Sequence, residues 1–159
     1  MHRQTISHGE RLLIRTIRLL AIDPVCHSLG RQFEHAVGMS GREVYQVLEV
    51  FVGQLRLRGL RRITLSVPMD PRLTRDECLM IDAFAAAQID DYRTLDTRLA
   101  RLVGTPPPPA LGAAVCLVAQ HFAMSGLWLN THLSDDQVCE VSTTPTSTAV
   151  QCVAAAATT

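Results

Sequence analysis

The chain has no lysine: all 15 of its basic residues are arginine. Codon bias in a GC-rich genome would produce the same absence, so it assigns no function. Aromatic residues make up only 4% of the 159 positions. With 47% of the chain apolar, the core must therefore be filled by aliphatic and alanine side chains. Cysteine pairing is also missing. The five cysteines are odd in number, scattered and without a C-x-x-C pair. That excludes a disulfide framework and a zinc module, and free thiols in a reducing cytosol are the expectation. No glycine-rich phosphate loop and no G-x-S-x-G elbow occurs, so the common phosphate-binding and serine-hydrolase signatures are lacking. The segment MHRQTISHGERLL has no long apolar run ahead of a small-residue cleavage site, which predicts no signal peptide.

What is present is a series of helix signals. Ser7-x-x-Glu10, Ser40-x-x-Glu43 and Thr74-x-x-Glu77 each match a capping box, in which cap and glutamate satisfy one another's backbone N–H groups. Helices are predicted from these caps over residues 8–22, 41–58 and 75–89. Asp23-Pro24 opens a further helix that ends at Gly38, and Asp91 opens one that ends at Gly104. Pro106 to Pro109 predicts a polyproline II connector, followed by a sixth helix over 111–129. That helix lies in a stretch, 103–133, with no Asp, Glu, Arg or Lys. Gln120, His121 and Ser125 interrupt it, so it is read as a buried bundle helix rather than a membrane span. Alternation at Ile63, Leu65 and Val67 predicts one short strand near 61–67, with Val138–Val141, Val150–Val153 or a second subunit as its partner. The fold class is all-α: one domain of five to six helices over residues 6–133, with 134–159 a flexible low-complexity tail.

The helix from Ser40 to Gly59 is the most fully specified. Val44, Val47, Leu48, Phe51, Val52 and Leu55 form one apolar stripe at helical spacing, and Gly59 is expected to close the helix in a left-handed conformation. Arg42, Gln46 and Glu49 fall on the opposite face. Phe33 to Val47, FEHAVGMSGREVYQV, resembles a helix-turn-helix DNA-binding motif. The resemblance implies that Ser40, Arg42, Tyr45 and Gln46 face the major groove, with Arg31, Arg56, Arg58, Arg61 and Arg62 on phosphates. Two core helices joined by a glycine C-cap and a serine N-cap give the same pattern.

Charge is divided unevenly. Residues 1–62 hold ten Arg and five acids, a balance of +5, and residues 63–159 hold five Arg and ten acids, a balance of −5. Such a chain suits self-association or contact with an anionic partner. Arg56, Arg58, Arg61 and Arg62 are the densest cationic run, and no aromatic residues interleave with it, so base stacking is not supported. Arg11, Arg15 and Arg18 line one side of the first helix, an arrangement found on helices that lie on anionic membranes and on ordinary solvated helices alike. Asp82, on an otherwise apolar helix, is the carboxylate expected to have an altered pKa. Histidine and cysteine spacings support no metal site and imply no cofactor. The sequence reading is therefore a non-enzymatic, cytoplasmic helical protein that binds a protein partner or itself. A helix-turn-helix DNA-binding regulator is the alternative, and a membrane role is the least supported.

Overall fold

The computed structural model describes residues 5–23, 27–38 and 40–133, with the backbone alone for His27 and 150–152. The helix buried most deeply is α4, Arg75–Gln88, where every position from Leu79 to Ala87 is covered. Successive helical residues step by about 100°, so an unbroken buried run means that neighbours surround the helix. Those neighbours are α5 (Tyr92–Val103), α6 (Pro109–Met124), α1 (His8–Ile22) and the strand β1 (Ile63–Leu65). The helix α3 (Gly41–Arg58) packs on α6, on α2 (His27–Val37) and on α1. Among the described residues the architecture is all-α, a bundle of six helices with one minor two-stranded element. No helix among the described residues is long and apolar enough to cross a membrane.

Aromatic rings are few but placed at the joints. Phe51 of α3 meets Phe84 of α4 edge-on with centroids 5.2 Å apart. Phe33 of α2 lies 5.8 Å from Phe122 of α6 and 6.3 Å from Tyr45 of α3. The remainder of the core is aliphatic and alanine, as the composition requires.

The capping boxes at Ser7 and Thr74 are both formed. The third is not. Ser40 has helical angles, φ −83° and ψ −1°, and its side chain caps nothing. The turn before it is too tight for an extended cap residue. Gly41 donates to Gly38 O at 2.9 Å, and a Cβ on Gly41 would stand 2.5 Å from Glu34 Cα. Glycine at 41 thus lets α3 touch the backbone of α2. Gly41→Ala forces the two helices apart and is expected to destabilise the fold by about 1–3 kcal/mol, the usual cost of overpacking. Chemical denaturation checks this, and an unchanged midpoint would show that the contact gives way freely. Gly59 likewise serves by lacking a side chain. Its φ is −68°, not left-handed, and a Cβ there would come within 2.6 Å of Leu55 O.

Two further boundaries differ from the sequence reading. Pro109 is the first residue of α6 rather than part of the connector, because a proline at N1 has no N–H to waste. The same helix ends at Met124, not at 129. Gly126 takes φ 72°, Leu127 N–H closes the helix end on Phe122 O at 2.8 Å, and residues 128–133 run on without helical bonds. Val47 is half-buried and Tyr45 takes the buried place beside Val44.

The strand is held on both edges. Ile63, Thr64 and Leu65 pair antiparallel with Cys152, Gln151 and Val150. On the other edge Thr64 N–H donates to Asp76 Oδ2 at 2.7 Å, Ser66 N–H donates to Glu77 Oε1 at 3.0 Å, and Thr64 O accepts from Thr74 Oγ1 at 2.6 Å. A three-residue strand keeps its backbone groups satisfied only because the first turn of α4 supplies this second edge. Within the stretch expected to be a low-complexity tail, 150–152 form this β2 strand. The remainder, 134–149 and 153–159, lies outside the described residues.

Candidate binding groove

Arg18, one of three arginines aligned on α1, is not on the surface. It is 4% exposed and Glu77 is 0% exposed, which decides that the pair is a buried one. Its Nε and Nη2 donate to the two carboxylate oxygens of Glu77 at 2.6 and 2.8 Å. The remaining donors reach Val67 O at 3.2 Å, Asp70 O at 2.6 Å and Arg72 O at 2.8 Å. All five guanidinium N–H groups are thereby used, and the loop 66–73 is wrapped around one side chain. Glu77 also accepts from Ser66 and Thr74 N–H. This locks the loop at a fixed distance from α1.

Between that loop and α1 runs an open groove of about 640 Å³. Its apolar lining comes from Ile6, Ile14, Pro68, Met69, Pro71 and Leu73. Met69 is 80% exposed, so the groove has an open apolar lip rather than a closed roof. Arg11 and Arg15 stand on its α1 side, both exposed. Their α1 ridge is shared with a smaller hollow of about 110 Å³ that also takes in Leu12, Leu29 and Gln32. Asp70, at the opposite rim, is occupied by Arg72, whose Nε lies 3.1 Å from it and holds its carboxyl below the usual range.

At the other end of the groove Glu10 belongs to a second buried assembly. Its Oε2 accepts from Ser7 N–H at 2.7 Å, its Oε1 accepts from Asn130 N–H at 2.7 Å, and His132 Nε2 is 3.2 Å away. Burial pushes the Glu10 carboxyl up, but these donors and His132 outweigh it and hold the group below its ordinary 4.5. A depressed folded value means that the stability Glu10 contributes is complete above 4.5 and is lost as pH falls through the lower, folded value. Glu10→Gln is therefore expected to flatten the acid limb of a midpoint-versus-pH curve. An acid limb as steep as in the parent protein would assign that loss to another carboxylate.

The extended segment 127–133 is held almost wholly by side chains. Gln88 brackets Leu127 O and Leu129 N–H at 2.8 and 2.9 Å, Ser7 Oγ donates to Trp128 O at 3.1 Å, and Asp82 accepts from His132 and Leu133 N–H at 2.6 and 3.1 Å. Arg98 Nε is 3.6 Å from Asp82 Oδ2, and its Nη2 donates to Leu133 O at 3.4 Å. Burial pushes the Asp82 carboxyl up against the opposing pull of these amides and Arg98. The altered pKa expected at Asp82 thus originates in burial, which outweighs the backbone amides and Arg98 that favour the carboxylate. Cys78 beside it has its thiol pushed up to about 12, first by burial and then by Asp82, Glu77 and Glu10. A thiol held protonated is a poor nucleophile. Among the described residues, no three His, Cys, Asp or Glu side chains group as metal ligands.

The residues implied by the helix-turn-helix resemblance are only partly brought together. Arg42 and Gln46 are exposed on α3. Tyr45 is buried against Phe33 and cannot face a groove of DNA, and Ser40 is half-buried at the tight turn. Arg56 donates to Ala21 O at the end of α1. Arg61 donates to Arg101 O at 2.7 Å and to Asp76 Oδ1 at 2.5 Å, so it closes the end of α5 and ties β1 to α4. Arg58 and Arg62 are exposed. Arg58 follows Arg42 by about 24 Å of helix axis and nearly half a turn, on the far side of α3. The cationic run therefore divides into two structural arginines and two surface ones.

The groove itself was not legible in the sequence. Pro68 and Pro71 mark a turn, but nothing local reveals that Arg18 draws that turn against α1. Searches against protein-family models, curated proteins and solved structures found no match for this chain.

Proposed function

We propose that this chain is a non-enzymatic binding protein that receives a segment of a partner protein in the groove between α1 and residues 68–73. The observation that carries this reading is an open apolar groove of about 640 Å³ built on a rigid frame. Sites for specific ligands are concave, mostly apolar and largely pre-formed, and the Arg18 clasp pre-forms this one. The buried carboxylates nearby, Glu10, Glu77 and Asp82, are each engaged by backbone amides, and Glu77 and Asp82 also by arginines, which supports a structural rather than a catalytic use. Selection of phage-displayed random peptides against the full chain tests the reading. Peptides are expected to be recovered whose binding is abolished by Met69→Asp on the exposed lip. Recovery of none that depend on the lip would refute it.

The helix-turn-helix reading stays as the second, on one specific observation: Arg42 and Gln46 are exposed on α3. It requires retention on duplex DNA that weakens with salt and is lost in the Arg42→Ala, Gln46→Ala double variant. Retention that survives the double variant would leave only non-specific attraction.

A further inference from the structure

We infer that the segment received by the groove is acidic and amphipathic, with its apolar side chains on the floor and carboxylates on Arg11 and Arg15. This rests on the preceding reading that the groove is the binding surface. The charge around the groove is what selects the occupant. Arg18 is neutralised by Glu77 and saturated with hydrogen bonds. Glu10 is engaged by Ser7, Asn130 and His132, and Asp70 by Arg72. Arg11 and Arg15 alone line the groove as exposed charges whose side chains make no ion pair or hydrogen bond to another described residue. The net attraction offered to a ligand is therefore that of two cations beside an apolar surface.

Their spacing defines the ligand further. Four residues apart on a helix, Arg11 and Arg15 are separated by about 6 Å along α1. Carboxylates at i and i+4 of a helix, or at i and i+2 of an extended chain, have a similar separation. Apolar surface lies on both sides of the ridge that carries the two arginines, in the main groove and in the smaller hollow bounded by Leu12 and Leu29. An open groove bordering about 12 Å of α1, from Glu10 to Arg18, fits a short stretch of chain better than an enclosed small molecule. Arginine favours carboxylate partners because its planar fork bonds both oxygens at once.

The probes are the random peptides displayed on phage, and, separately, vesicles of phosphatidylcholine with and without phosphatidylglycerol. Lip-dependent peptides are expected to carry paired Asp or Glu at one of the two spacings, next to apolar residues. Binding of the best peptide, followed by fluorescence anisotropy, should fall on the order of tenfold when its acids become Gln, and similarly when Arg11→Gln and Arg15→Gln are combined in the protein. It should also weaken with added salt. Lip-dependent peptides with no acidic preference would overturn this inference and leave the groove reading standing. An acidic preference that persists in the double arginine variant would overturn it too, since the recognising cation would lie elsewhere. Binding to anionic vesicles through Arg11 and Arg15, with no lip-dependent peptide, would replace the peptide by a lipid surface. Absence of both peptide and vesicle binding would remove the groove reading itself.

Discussion

Glu77→Gln is expected to lower stability by about 3–5 kcal/mol, the usual cost of leaving one member of a buried ion pair uncompensated. In a chain of this size that corresponds to a fall in Tm of about 10 °C. The change keeps the shape of the side chain and removes its charge. Arg18 would then sit buried with three carbonyls and no counter-charge, while an amide NH2 would point at donors of Arg18, Ser66 or Thr74. The effect should respond little to salt, because a pair at 4% and 0% exposure is poorly screened. Replacing both partners, Arg18→Met with Glu77→Leu, is expected to recover part of the loss. It cannot recover all of it, since Val67 O, Asp70 O and Arg72 O lose their donor. A single-variant loss below about 1 kcal/mol in urea denaturation would mean that the pair is solvated and contributes as a surface bridge does.

The second large effect is expected at Asp82. Asp82→Ala leaves Arg98, itself 3% exposed, without its carboxylate, and leaves His132 and Leu133 N–H without acceptors. Loss of the buried pair again predicts about 3–5 kcal/mol. Hydrogen exchange gives a local readout beside global stability: the amides of His132 and Leu133 should exchange much faster, while those at the centre of α4 follow the global change alone. The pH dependence has the opposite sign to that of Glu10. Burial raises the Asp82 carboxyl above its ordinary 3.8, so the stability tied to its protonation is complete below 3.8 and is lost as pH rises through the folded value. The margin between the parent protein and Asp82→Ala should therefore narrow with rising pH across that interval. Unchanged exchange at 132 and 133 would show that Gln88, Ser7 and Glu10 hold the segment without Asp82.

Both effects arise from charges on helices that read in sequence as an amphipathic element, α1, and a nearly all-apolar one, α4. Arg18 sits in line with Arg11 and Arg15, and no local feature distinguishes the buried one from the exposed two. Glu77 is a good capping-box residue, and it does cap Thr74, but its pairing with an arginine fifty-nine positions earlier is a tertiary fact. Asp82 stood out because a carboxylate on an apolar face needs partners. Its partners, two amides after α6 and an arginine on α5, lie beyond any local pattern.

The same division explains why the DNA-binding resemblance divides as it does. Gly38 and Gly41 make a tight α2–α3 turn that a short motif can express, and Gly41 meets the backbone of Glu34 closely. Whether the following helix protrudes or serves as core depends on what else packs on it. Here α6 and α1 do, Tyr45 is buried, and Arg56 and Arg61 are spent on carbonyls and on Asp76.

The sequence by itself determined the all-α class, a count of five to six helices and most helix limits, because caps, glycine ends and 3.6-residue periodicity act within a few residues of one another. Composition likewise determined the mainly aliphatic character of the core, since only 4% of the chain is aromatic. The tertiary structure alone decided which arginines are interior, where β1 finds its second edge, and that α1 and the 68–73 turn enclose a groove. These depend on contacts between residues far apart in the chain, where a charge is stabilised by its partner rather than by its neighbours in sequence.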